Sequence, residues 1–87
     1  MKNFDIVSTG IPITKIIDVD YLGNHQLDLT FNDGKEGRVD LSEWVKTHYE
    51  GKLQDEREFI QFGLERGTLV WKQNRDISPK YLYNHAH

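Results

Sequence analysis

The sequence predicts an α+β fold, with an antiparallel β-meander plus a C-terminal β-hairpin, packed with two or three short helices. Three observations predict it. Apolar and polar residues alternate with a period of two over much of the first half, which is typical of strands with one buried face. Turn-forming pairs separate these runs. Helical spacing appears after the meander and again near the C-terminal end, so strands and helices do not alternate regularly.

Three runs of alternating residues predict the meander. Between Ile11 and Tyr21 the apolar residues fall mainly on odd positions, so we expect that face to be buried and Ile16 to lie on the other face. The pairs Gly23-Asn24 and Asp33-Gly34 tolerate positive φ and are typical of tight hairpin turns. The predicted strands are Ile13–Tyr21, Gln26–Phe31 and Arg38–Leu41.

The middle of the chain predicts two short helices. The first has Asp40 or Ser42 as its candidate cap and Gly51 as its stop. The second starts at Asp55 and carries Phe59. Helical spacing assigns one core-facing stripe to Leu41, Trp44, Val45, His48 and Tyr49. The large residues expected in the core are Trp44, Phe59, Phe31 and Leu29.

The last third predicts a hairpin and a terminal helix. The hairpin spans Phe62–Trp71 and turns at Arg66-Gly67, and the polar segment Lys72–Asp76 is expected to be a loop. The pair Ser78-Pro79 starts a helix over Ser78–Tyr83, because the serine accepts free amides and proline fits the first helical position. Residues 84–87 are expected to fray.

Length, charge and composition restrict the function classes. A chain of 87 residues is predicted to form one domain, residues 1–87, with residues 1–10 as an N-terminal extension. The net charge is −3 and the basic residues do not cluster, which disfavours direct binding of nucleic acid. No apolar run approaches the ~20 residues that span a bilayer. The chain has no cysteine, and a small secreted domain usually has disulfides, so we expect a cytoplasmic protein.

Residues for covalent catalysis or metal binding are sparse. Ser42 and Ser78 are explained as helix caps, and Ser8 falls in the predicted extension. His85 and His87 flank one residue and could hold a metal weakly, but we interpret them as a solvated tail. The sequence therefore predicts no catalytic residues, no bound metal and no cofactor.

Three carboxylates leave an enzymatic alternative open. Asp18 and Asp20 share one face of a predicted strand, and Asp28 would lie on the neighbouring strand. Three carboxylates on one sheet face could bind a cation or supply an acid and a base. The simpler interpretation is the solvated outer face that antiparallel sheets usually have.

The densest cluster of aromatic and basic residues lies in the last third of the chain. Aromatic residues and arginine dominate the energetically important positions of protein interfaces, although a small core needs aromatic residues too. We therefore expect a non-catalytic protein-interaction module, and a homodimer stays open as an alternative partner arrangement. The candidate binding residues are Trp71, Lys72, Arg75, Asp76, Tyr81 and Tyr83.

Several short motifs resemble a known family. They are Phe31 followed by Asp33-Gly34, then Val39-Asp40-Leu41, Thr68-Leu69-Val70-Trp71, Asp76-Ile77-Ser78-Pro79 and Leu82-Tyr83. This pattern, which runs from about Ile16 to Tyr83, resembles the bacterial family called domain of unknown function 2442 (DUF2442). After the tryptophan that family usually has a Pro-Asn-Gly turn, whereas this chain has Lys72-Gln73-Asn74-Arg75. Asn74 stands where glycine is expected, and asparagine is the next most tolerant residue for left-handed backbone.

The resemblance implies a small bacterial protein without an established activity. Some members look fused or neighbouring to helix-turn-helix regulators or to other small two-gene partners of toxin–antitoxin character. We expect any helix-turn-helix partner of this chain to be a separate protein. The sequence and the resemblance together predict the small, non-catalytic partner of a regulatory pair.

Overall fold

Two antiparallel three-stranded sheets and three short α-helices build the part of the chain described by the computed structural model, residues 13–87. The α+β class is confirmed. The predicted extension 1–10, with Ser8, and the start of the first apolar run at Ile11 lie outside the described residues. The elements in chain order are β1 (Ile16–Gly23), β2 (Gln26–Phe31), β3 (Glu36–Asp40), α1 (Trp44–Thr47), a 3₁₀ segment (Tyr49–Gln54), α2 (Glu56–Phe59), β4 (Gly63–Glu65), β5 (Thr68–Trp71), β6 (Arg75–Asp76) and α3 (Pro79–His85).

The first sheet has the order β1-β2-β3, as the meander predicts. The bounds of β2 are those predicted, and both hairpin turns lie at the predicted pairs or beside them. Asn24 and His25 both have positive φ, at 54° and 63°. In the second turn Gly34 has φ 94°, and Asp33 Oδ1 accepts a hydrogen bond of 2.9 Å from the backbone N–H of Lys35. Local turn chemistry therefore fixes the register of the meander.

The predicted buried face of β1 is wrong at its start. The strand begins at Ile16 rather than Ile13, and its register with β2 skips Ile17. This extra residue is a β-bulge, and it reverses the alternation of side chains on either side. Ile16 is consequently 3% exposed and Ile17 60% exposed, the opposite of the prediction. Beyond the bulge Val19 and Tyr21 pack against the core as expected.

The first predicted helix is much shorter than its apolar stripe suggests. It spans one turn, α1, and ends where His48 adopts an extended backbone. Asp40 Oδ1 accepts from the N–H of Ser42 at 2.9 Å, so it forms a local turn before the helix instead of capping it. Tyr49 and Glu50 then have positive φ, at 56° and 59°. Because the chain reverses here, His48 is exposed, whereas Tyr49 still packs against the core as predicted.

The start of the second helix is confirmed. The side chain of Asp55 caps α2 by accepting from the N–H of Arg57 at 2.9 Å. The third strand begins at Glu36, two residues before the predicted Arg38. Its alternation is as predicted, with Val39 buried.

The second sheet contains one strand more than predicted. Arg66 and Gly67 form the predicted turn, with φ of 54° and 79°. The segment predicted as a loop instead ends in β6, where Arg75 pairs with Trp71. The reversal between β5 and β6 uses Gln73 and Asn74 at φ 66° and 61°, so the left-handed turn is retained without glycine.

The C-terminal segment, for which the sequence predicts fraying at residues 84–87, contacts the rest of the fold in the structure. Ser78 Oγ accepts from the N–H of Tyr81 at 3.3 Å and caps α3 as predicted, but the helix continues to His85. Ala86 is 5% exposed. The backbone of His87 makes two hydrogen bonds of 2.9 Å with the backbone of Arg38 in β3.

One hydrophobic cluster joins the two sheets. The predicted core residues Leu29, Phe31, Trp44 and Phe59 are all buried, which confirms them. Trp44 and Trp71 stack with ring centroids 5.9 Å apart. None of the helices within residues 13–87 has the length and apolar character needed to span a membrane. The full cluster is Ile16, Leu27, Leu29, Phe31, Val39, Leu41, Trp44, Val45, Leu53, Phe59, Leu69, Trp71, Ile77, Leu82 and Ala86.

Candidate interaction surface

The structure divides the six predicted binding residues between structural and surface positions. Trp71 is structural: it is 5% exposed, and its indole Nε1 donates to the carbonyl oxygen of Phe59 at 2.8 Å. Tyr81 is half-buried and stacks on His85, with ring centroids 4.0 Å apart. The indole N–H of Trp71 is therefore not available to a partner.

Tyr83 also has a structural role. Its hydroxyl donates to Asp33 Oδ2 at 2.6 Å, and its ring meets that of Phe31 edge-on at 5.0 Å. Lys35 Nζ lies 4.1 Å from the ring centroid and donates to the Tyr83 carbonyl oxygen at 2.8 Å. The hydrogen bond to Tyr83 lowers the pKa of the Asp33 carboxyl, and the same bond raises the pKa of the Tyr83 hydroxyl. The Phe-x-Asp-Gly and Leu-Tyr motifs therefore fasten α3 to the β2–β3 turn.

Lys72 and Arg75 remain accessible on the β5–β6 turn. Lys72 is exposed and Arg75 is half-buried. Arg75 Nη2 donates to Gln73 Oε1 at 2.7 Å, and its Cζ lies 6.0 Å from the ring centroid of Tyr49. These contacts hold the guanidinium while leaving other donors of its fork available. The turn borders a shallow depression of about 350 Å³, lined by Lys52, Asp55, Glu58, Lys72, Gln73 and Arg75.

Asp76, the sixth predicted residue, is fixed through its backbone. The Tyr49 hydroxyl donates to the Asp76 carbonyl oxygen at 2.6 Å and accepts from the Asp76 N–H at 2.8 Å. Helical spacing predicts that Tyr49 faces the core, and its ring does pack against the core. The spacing gives no sign of the two hydrogen bonds that its hydroxyl makes with Asp76.

Two strained turns meet at this surface. Tyr49 and Glu50 on one turn, and Gln73 and Asn74 on the other, all have φ between 56° and 66°. Non-glycine residues in this region cost roughly 1–2 kcal/mol each, and such strain clusters at functional sites. We refer to the surface formed by Tyr49, Lys72, Gln73, Asn74, Arg75 and Asp76 as the Arg75 surface.

The alternative carboxylate site is spread over the outer face of the first sheet. Asp20 and Asp28 are direct cross-strand partners, and Asp28 is also paired with Arg38. Asp18 Oδ1 accepts from the N–H of Val19 at 3.0 Å. Across residues 13–87, no three histidine or acidic side chains group closely enough to hold a metal ion. His85 Nδ1 is engaged with the carbonyl oxygen of Tyr81 at 2.8 Å.

Comparison with known protein families identifies the family of this chain. A family model described as "Protein of unknown function (DUF2442)" matches residues 16–87, which is most of the chain. No curated protein matches the sequence. No solved structure matches it either.

Proposed function

This chain belongs to the DUF2442 family of proteins of unknown function, and from that premise we propose that it is a non-catalytic protein-interaction module. Its partner binds the Arg75 surface. The family as described supplies no activity, so the proposal rests on the residues of this chain. Lys72 and Arg75 are the contact residues, while Trp71, Tyr81 and Tyr83 hold the scaffold beneath and beside them.

The main support for the proposal is that the turns at Tyr49-Glu50 and Gln73-Asn74 lie beside each other. Tyr49 and Asp76 tie the turns together by two hydrogen bonds, 2.6 Å and 2.8 Å long. The hydrogen bond from Arg75 to the side chain of Gln73 restricts the conformations of Arg75 before a partner binds. Restricting an interface side chain in advance reduces the conformational entropy lost on binding. The positive φ values at these four positions form the two chain reversals that bring Lys72 and Arg75 to this surface.

The chemistry of the surface favours a partner segment that carries carboxylates. Arg75 offers a planar fork that matches a carboxylate with paired hydrogen bonds, and Lys72 adds a second positive charge nearby. The partner we propose is a separately encoded protein, such as a helix-turn-helix regulator or a small toxin-like protein. The pair would act in the cytoplasm as a two-gene regulatory unit.

Affinity capture from the source cell tests the proposal. Tagged wild-type protein, Arg75→Ala and Lys72→Ala serve as baits, with Lys80→Ala on the exposed side of α3 as the matched control. We expect each substitution on the Arg75 surface to weaken capture of a specific partner by ~1 kcal/mol or more, about fivefold in affinity. A partner that binds all four baits equally well would contradict the proposal.

A further inference from the structure

The outer edge of β3 carries strand-pairing groups that the first sheet does not use. Arg38 directs both its N–H and its carbonyl oxygen away from β2, since both bond to His87 at 2.9 Å. Backbone N–H and C=O groups that point to one side of a strand recur at every second residue. Those of Glu36 and Asp40 therefore also point away from β2. Within residues 13–87, the residue whose backbone bonds to this edge is His87.

The side chains along this edge have an alternating charge pattern. Glu36, Arg38 and Asp40 are exposed on the outer face, whereas Gly37 and Val39 point inward and are buried. Read along the strand, the outer charges are negative, positive, negative. A shallow depression of about 530 Å³ lies beside them, lined by Asp28, Glu36, Gly37, Arg38, Asp40 and His87.

The charge pattern disfavours one register of pairing with a second copy of the chain. An antiparallel pair with its two-fold axis at Arg38 would place the two arginines opposite each other. It would also place Glu36 opposite Asp40 of the second copy. Like charges directly opposite are destabilising in a sheet. In the neighbouring registers Glu36 or Asp40 would face Arg38 of the second copy, so a second copy matches at most two of the three outer charges at once.

We propose that the β3 edge binds an extended segment of another protein, whose outer-face residues are basic, acidic and basic at alternate positions. Such a segment is complementary to Glu36, Arg38 and Asp40 in either strand direction, because the pattern is symmetric. The added strand extends the first sheet by one member. This site is separate from the Arg75 surface and does not depend on it.

His87 occupies the middle of this site and competes with the incoming strand. His87 pairs with Arg38 alone. A segment that also bonds to Glu36 and Asp40 can therefore displace it. Ala86, which is buried against Gly37, keeps the terminus close when His87 is displaced. His87 therefore acts as a removable cover on the edge.

Peptide titration followed by amide NMR tests the proposal. The probe is a blocked peptide, Thr-Lys-Val-Glu-Val-Lys-Thr, and the control probe is its charge-reversed form, Thr-Glu-Val-Lys-Val-Glu-Thr. We expect only the first peptide to shift the amide signals of Glu36, Arg38 and Asp40. A chain that ends at Ala86 should bind it about tenfold more tightly, because a competing two-bond pairing is gone. Lys80→Ala should bind like the wild type.

The triple variant Glu36→Lys, Arg38→Glu, Asp40→Lys provides the reciprocal test. We expect it to prefer the charge-reversed peptide, and the chain ending at Ala86 keeps the test decisive if the triple variant does not fold. Equal binding of both peptides to wild type would overturn the proposal. Amide shifts confined to other strands, or an unchanged affinity after removal of His87, would overturn it too. The location of the shifts separates this outcome from any failure at the Arg75 surface.

Discussion

The hydroxyl of Tyr49 acts as a strand partner for the backbone of Asp76. It donates to the carbonyl oxygen and accepts from the N–H of the same residue, at 2.6 Å and 2.8 Å. A neighbouring strand would satisfy the same two groups with two separate backbone atoms. β6 is only two residues long, so this contact supplies a large part of what holds it.

Replacement of Tyr49 by Phe should therefore loosen β6 specifically. We expect a loss of about 1–2 kcal/mol in the free energy of unfolding, which corresponds to two net hydrogen bonds at a partly solvated site. Amide hydrogen exchange at Asp76 should become much faster, while exchange in β2 changes only with the global stability. Urea denaturation and exchange NMR measure both effects. Unchanged protection at Asp76 would contradict the assigned role of the hydroxyl.

Gly37 is predicted to be required for the approach of the C-terminal segment. A Cβ at this position would lie 2.9 Å from Ala86 Cβ and 3.1 Å from the His87 nitrogen. Gly37→Ala should displace the terminus and lower the free energy of unfolding by roughly 1–3 kcal/mol, the usual cost of overpacking. Loss of exchange protection at the Arg38 amide should accompany it. The control is Gly63→Ala, because a Cβ there meets nothing within 4 Å.

The Asp33–Tyr83 hydrogen bond predicts a pH dependence at both ends of the scale. The pKa of Asp33 is lowered, so its contribution to stability is present at neutral pH and is lost as the pH falls below about 5. The pKa of Tyr83 is raised, so its contribution is present below its usual pKa near 10 and is lost as the pH rises through the folded value.

Tyr83→Phe tests this pH dependence. The variant should unfold more easily than wild type at pH 7, and the difference should shrink at both low and high pH. Urea titrations across the pH range measure it. The lowered pKa values of Asp40 and Asp55, caused mainly by backbone hydrogen bonds, leave a residual acid sensitivity in the variant. A difference that is constant with pH would show that the hydrogen bond is unimportant.

Asp20→Asn is expected to stabilise the protein slightly. Asp20 and Asp28 are directly opposite on neighbouring strands, and such like charges repel by about 0.2–1 kcal/mol. Asp28 retains its pairing with Arg38 in the variant. Melting temperatures with and without magnesium or calcium separate this interpretation from a cation site. If either ion stabilised wild type but not the variant, the carboxylates would be ligands and the solvated-face interpretation would be wrong.

The parts of the fold that sequence reasoning predicted depend on local chemistry. The Asp33-Gly34 turn, the alternation in Gln26–Phe31 and the Ser78 cap each rest on residues a few positions apart. The parts that it missed depend on distant partners. The bulge at Ile17 and the pairing of His87 with Arg38 are stabilised by residues far along the chain, which leave no local pattern.

The candidate surface shows the same division. The sequence identifies Lys72 and Arg75 because a polar segment with basic residues, placed between two predicted elements, indicates an exposed loop. Trp71 and Tyr83 were included because aromatic residues serve cores and interfaces alike, and composition does not separate the two uses. The hydrogen bonds of the Tyr49 hydroxyl were not predicted because their partner, Asp76, is 27 residues away along the chain.

The stacking of Trp44 on Trp71 has a spectroscopic consequence. These are the only two indoles in the chain, and their centroids are 5.9 Å apart at the junction of α1 with the second sheet. Tryptophan emission will therefore report mainly the docking of that sheet onto the rest of the core. Opening of the β1–β2 hairpin moves Tyr21 away from Phe59 instead, so the tyrosine contribution to near-ultraviolet circular dichroism is the signal that reports it.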